Sequence, residues 1–281
     1  MPAITGDPTA SSTVSHRRHR RFRYLLDAYG YPIGTILVVV LLWEVLVRAL
    51  EVPSYVLPAP TEIVREGIRG FSAMMPNYWV TLYESVTGLL LAIVTAILAG
   101  LFLSYSPFIR RCFYPLLVFV DEIPKVAFAP ILVTWFGFGL EPKILLTFIN
   151  CFFPIFLNSM SGFTFIDKEY IDLARSAGAR EWEVFRKIRL QNALPNIFVG
   201  LRMSAAVAIT GAVVSEFLAA DRGLGLFLQR ALATLNMGLG FATIAAMWTI
   251  GLALFYGMTW IESRLIHWHV SQRREDKLLS I

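Results

Sequence analysis

The chain of 281 residues is 56% hydrophobic and only 16% charged, with a formal net charge of +5. A soluble globular chain carries about one quarter charged residues, so this composition excludes an ordinary water-soluble domain and points to an integral membrane protein. The positive balance alone would suit nucleic acid, but its placement between apolar runs assigns it to anionic headgroups instead.

Residues 1–15 are rich in Ser, Thr, Pro and Ala, the basic block HRRHRRFR follows at 16–23, and 1–30 is expected to be a disordered basic cytoplasmic tail. Apolar runs then follow at about 32–50, 78–104, 113–136, 144–162, 196–218 and 241–261. Each is close to the ~20 residues with which a helix crosses ~30 Å of hydrocarbon. The expectation is an all-α integral membrane protein of six transmembrane helices, with a membrane domain at 31–265 and a tail at 266–281. No small-residue cleavage site follows the first run, so it reads as an uncleaved anchor.

Seventeen of the 25 Lys and Arg residues fall on the side that holds the N-terminus, against six on the other. Lys143 is one of those six, and Lys125 and Arg202 lie within runs. The asymmetry predicts that both termini are cytoplasmic. On the outer side, Thr61 reads as the N-cap of a short surface helix with Ile63, Ile68 and Phe71 on its apolar face.

Ionisable residues inside apolar runs are candidates for function. Asp121, Glu122 and Lys125 surround Pro124 in the third run. They read either as lining of a translocation path or as an internal salt bridge in a bent helix, Asp121 and Lys125 being four apart. Glu216, near the outer end of the fifth run, belongs to an outer mouth or to a structural hydrogen bond. Glu44 and Arg48 are spaced to pair, and Arg202 can snorkel. Gly88 and Gly100 permit close helix approach. Cys112 and Cys151 read as small hydrophobes, not as a disulfide. His267 and His269 are two apart, which is no zinc arrangement, and Trp260 and Trp268 read as interface anchors.

One polar segment stands between the fourth and fifth runs, at 167–195: YIDLARSAGAREWEVFRKIRLQNALP covers Tyr170–Pro195. Its apolar positions recur at helical spacing, and Gly178 breaks them, since glycine within a helix costs about 1 kcal/mol relative to alanine. The reading is a helix, a glycine elbow, and a second helix with Glu181 and Glu183 early and Arg186, Lys187 and Arg189 late, matching the dipole at both ends. Such a segment can lie on lipid, stay solvated, pack on its own protein, or seat a short apolar ridge in a partner's groove.

Resemblance favours the last of these. Asp172-Leu173-Ala174, three residues, Gly178, nine residues, Ile188-Arg189-Leu190 resembles the EAA loop of bacterial binding-protein-dependent ABC importer permeases, with Asp172, Leu173 and Gln191 departing from the pattern. VLPAPTEI, KVAFAPILVTWFGFG, FFPIFLNSMSG and GAVVSEFLAADRGLGLFL resemble further segments of the nitrate, sulfonate, taurine and bicarbonate permease group, in the same order over most of 53–230.

The resemblance implies a type I importer (MetI-like) permease fold in the bacterial inner membrane, with 167–195 as a cytoplasmic coupling-helix loop. Asp172, Ala174 and Gly178 would be its contact and elbow positions, and Ile188 and Leu190 would anchor its second helix. It implies a second permease copy, two cytoplasmic ATPase subunits and a periplasmic or lipid-anchored substrate-binding protein, and no catalytic chemistry in this chain. No G-x-x-x-x-G-K-[ST] phosphate loop is present, which fits ATP being bound by a partner. The implied substrates are small anions such as nitrate, sulfonate, taurine or bicarbonate, with thiamine-precursor-like molecules also in the group. An ion-coupled secondary transporter is the alternative; it would need paired carboxylates in corresponding halves, and the chain shows no internal repeat.

Overall fold

The computed structural model describes residues 30–219 and 221–266. The basic block at 16–23, His267, Trp268 and His269 lie outside these. The described residues form ten α-helices and no strand: α1 (Tyr31–Ala49), α2 (Pro60–Tyr105), α3 (Pro107–Asp121), α4 (Phe128–Phe136), α5 (Glu141–Thr164), α6 (Lys168–Ser176), α7 (Glu181–Val184), α8 (Leu190–Ala219), α9 (Leu224–Ala233) and α10 (Met237–Leu265). Among them, length and apolarity single out four stretches able to cross a membrane: Pro60–Tyr105, Glu141–Thr164, Glu181–Leu218 and Met237–Leu265. Composition thus returns four spans by itself, where six apolar runs were read from the sequence.

The outer surface helix expected around Ile63 is the first part of α2. That helix runs unbroken for 46 residues with Pro76 inside it, about 69 Å at 1.5 Å per residue and far more than the hydrocarbon thickness. Its N-cap is Ala59, with Pro60 at the first helical position, and Thr61 lies inside the first turn. The cap comes instead from α1: the Thr61 backbone N–H and hydroxyl donate to Glu44 at 3.0 and 2.8 Å. Arg48 pairs with Glu44 at 2.6 Å, as the spacing predicted, and also donates to the Thr61 hydroxyl. A glutamate from one helix therefore satisfies an orphan donor at the start of the next.

The expected third span is two helices. Proline cannot donate to the helix and its ring clashes with the carbonyl four residues back, so Pro124 ends α3 at Asp121 and a 3₁₀ turn over Lys125–Ala127 leads into α4. α3 has no buried residue, and Trp135 and Phe138 near the end of α4 are 73% and 82% exposed.

The core lies between α2, α5 and α8, with α10 across it. Leu89, Ala92 and Ala96 of α2 meet Cys151, Ile155 and Phe156 of α5, and Ile197, Leu201, Ala205 and Ala208 of α8 close the cluster. Small residues let these backbones approach, which drives helix association in lipid, where apolar burial contributes little. Thr147 on α5 shows how tight the approach is. A Cβ at Gly88 would fall 2.6 Å from its side chain, and one at Gly211 2.7 Å from its Cα. Cys151 is buried and Cys112 exposed, both free. The Ser204 hydroxyl donates to the Cys151 carbonyl at 2.8 Å, tying α8 to α5.

Candidate functional site

Three groups of residues stand out, two of them at opposite ends of α5. At its C-terminal end the polar segment forms the expected elbow. α6 stops by a Schellman arrangement: the Ala179 N–H donates to the Ala174 carbonyl and the Gly178 N–H to the Arg175 carbonyl, both at 3.0 Å. Gly178 has φ +82° with open space around its Cα. Glycine is required there by backbone conformation and not by crowding.

The second arm begins with the Arg180 N–H donating to Glu183 at 3.0 Å, half of a capping box. Arg175 pairs with Glu181 across the elbow at 2.9 Å, and Lys187 with Glu183 at 3.3 Å. The expected separate second helix is in fact continuous with the following span. α7 passes through a π turn at Phe185–Arg189 into α8, and Pro195 sits inside α8 without ending it. Val184 is buried, and Phe185 and Leu190 pack on the core.

The two arms enclose a cleft of about 510 Å³. Ala174 and Ile188 line it from opposite sides, with Leu173 and Lys187. Leu190 does not reach it and anchors the arm to the core instead. Asp172 and Trp182 lie outside the cleft and are exposed, Trp182 at 67%, and Leu173 at the cleft's edge is 68% exposed.

At the break between α3 and α4, the Lys125 ammonium pairs with the Asp121 carboxylate at 2.7 Å and also donates to the Asp121 carbonyl at 2.8 Å. That carbonyl is among those freed where α3 ends, so lysine serves as its donor. The Phe153 ring of α5 lies 5.4 Å from the same ammonium. Both partners are about one quarter exposed. Glu122 is exposed on the same turn and is not brought into the pair.

The N-terminal end of α5 holds a polar node that sequence reasoning missed. Lys143 is fully buried and pairs with Glu84 of α2 at 3.0 Å, with the Arg222 carbonyl at 3.3 Å and Asp221 at 3.8 Å. Beside it lies Glu216, 1% exposed. Its carboxylate accepts from the Thr81 hydroxyl at 2.6 Å and from the Gly225 N–H in the first turn of α9. The Leu224 N–H donates to Thr81 and the Gly223 N–H to Asn77. Of the two readings of Glu216, the structural hydrogen bond is present: it caps α9 and seats the α8–α9 turn. Glu84 carried a signal that went unused, being an acidic residue inside an apolar run. Lys143 carried none, because at the edge of a run it reads as a loop charge.

Arg202 pairs with Glu262 of α10 at 3.1 Å. Trp260 lies 5.4 Å from the Arg264 guanidinium, as suits an interface residue.

The described residues thus form a set of packed apolar helices with an exposed two-armed elbow at one end. Residues 88–267 match the family described as binding-protein-dependent transport system inner membrane component, and the chain belongs to it. It is 33% identical over 237 residues to the formylaminopyrimidine transport permease protein ThiX of Halalkalibacterium halodurans, covering 84% of this chain and 94% of that one. It is 30% identical over 264 residues to the taurine transport system permease protein TauC of Escherichia coli, covering 90% and 95%. A structure of the MetNI methionine ABC transporter matches with a TM-score of 0.55 at 16% identity, over 69% of this chain and 94% of that one, and shows the shared fold. The protein is therefore a multi-pass inner-membrane permease component of an ABC importer. ATP hydrolysis belongs to an ATPase partner, and a binding protein delivers the solute.

Proposed function

We propose that two copies of this chain pair in the membrane and stand on two cytoplasmic ATPase subunits through 167–195, passing on a small anion received from the binding protein. In this reading 31–265 is the permease domain and both termini are cytoplasmic. The observation that carries it is mechanical. The second arm of the elbow has no joint between it and α8, a helix at the centre of the core. A push on the exposed elbow therefore moves a packed helix, the rigid-body transmission that alternating access needs.

The roles divide along the geometry. Asp172 presents charge to the ATPase, Ala174 and Ile188 line the cleft between the arms, Gly178 sets the angle, and Leu190 anchors the arm. Asp121, Glu122 and Lys125 border the path at a half-buried break in the wall. The taurine relative supports an anion, with nitrate, sulfonate, taurine or bicarbonate as the class; the formylaminopyrimidine relative sets the other substrate type to assay beside them.

The test is Gly178→Pro with Asp172→Cys. Proline cannot adopt φ +82°, so ATP-dependent uptake of labelled taurine or nitrate into proteoliposomes should vanish while the chain still inserts. Cysteine at 172 should cross-link to the co-purified ATPase. Wild-type uptake by the inserted proline variant, or no cross-link, overturns the coupling role.

A further inference from the structure

We propose that the cleft between α3 and the C-terminal end of α5 binds an anionic phospholipid. Arg110 and Arg111 would hold its phosphate, the Thr164 hydroxyl would donate to it, and its acyl chains would start along Leu157, Met160 and Phe165. These six residues line a single cavity of about 480 Å³.

Three observations converge there. First, Arg110 and Arg111 stand near the N-terminal end of α3, whose first turn carries no acidic residue. Positive charge at that end opposes the helix dipole, and among the described residues neither arginine has an ion-pair partner. A bound anion would answer both. Second, Thr164 is one of the residues around the cavity, and its hydroxyl oxygen is buried with no hydrogen-bond partner among the described residues. Buried polar atoms are rarely left unmade. Third, Pro115, Leu157, Met160 and Phe165 make most of the remaining wall apolar, beside Tyr114 and Ser161, with Met160 buried in the core cluster. Free phosphate has no use for such a wall, whereas a lipid uses head and chain together. Basic pockets between spans are common sites for anionic headgroups. The site stands apart from the coupling role proposed above.

The test uses the full chain, purified and reconstituted in nanodiscs of phosphatidylcholine doped with phosphatidylglycerol, with retained lipid read by native mass spectrometry. The wild type should keep phosphatidylglycerol preferentially. Arg110→Ala with Arg111→Ala should lose roughly 30-fold of that preference, about fivefold per arginine, and Arg230→Ala, in α9, should lose none. Should the double variant not fold, the exposed single change Arg111→Ala carries the test with its fivefold loss. Lysine at both positions should restore most of the preference. Retention unchanged in the alanine variants overturns the site. Displacement of the lipid by millimolar inorganic phosphate overturns the lipid as occupant.

Discussion

The two ends of α5 solve opposite problems with the same residue types. At its start, Lys143 and Glu84 are buried and face each other within the chain. At its end, Arg175, Glu181, Glu183 and Lys187 form ion pairs that stay 43–71% exposed, while apolar Leu173 and Trp182 face outward beside them. The first set is sealed, so its charges hold helices α2 and α5 and the α8–α9 turn in one arrangement. The second keeps its charges in water, where exposed pairs contribute little to stability, typically under about 1 kcal/mol. What the second set fixes is the shape of a surface. If the coupling role proposed above holds, stability and readout are separated between the two ends of one helix.

The largest effect should come from the sealed end. Lys143→Met leaves the Glu84 carboxylate buried without its cation, which costs about 3–5 kcal/mol. Thermal unfolding in detergent should show a large drop. Lys143→Met with Glu84→Gln should recover much of it, since a buried pair replaced as a unit is often nearly neutral. A single variant as stable as the wild type would mean that water already reaches the node, and the contrast between the two ends would fail.

The exposed end should respond in the opposite sense. Gly178→Ala meets no neighbouring atom but must hold φ +82°, at roughly 1–2 kcal/mol of local strain. Global unfolding should move little, because an exposed turn opens locally. Uptake should fall far more than stability, and Gly178→Asn, which tolerates this conformation better, should retain more of it. Equal loss of stability and uptake would make the elbow an ordinary part of the fold.

The same contrast explains what could be read in advance. Elements marked by local backbone chemistry were legible: Gly178 as an elbow, the Glu44–Arg48 pair, Gly88 as a point of close approach, and the ends of α5. Those set by partners distant in sequence were not. Thr61 reads as a cap because it precedes a helix, yet the capping oxygen comes from Glu44, seventeen residues earlier. Pro195 reads as the stop between the second arm and the fifth run, yet it is carried inside α8. Lys143 reads as a loop charge, and only the folding of α2 against α5 brings Glu84 to it, 59 residues away.

Lys125 tests the boundary between the two regimes. It pairs with Asp121 four residues away, as the spacing predicted, but at a helix break and only partly shielded from solvent. A pair this exposed is worth a few tenths of a kcal/mol to about 1, so Lys125→Ala should lower the melting temperature by a few degrees at most. If the break borders the solute's path, the same change should raise the KM for an anionic substrate, because it removes a cation and leaves Asp121 and Glu122 beside the opening. Lys125→Arg keeps the charge and should keep most of the affinity. Unchanged uptake kinetics with a small loss of stability would instead place Lys125 with Lys143, as a donor that holds a broken helix together, and would leave selectivity to the binding protein.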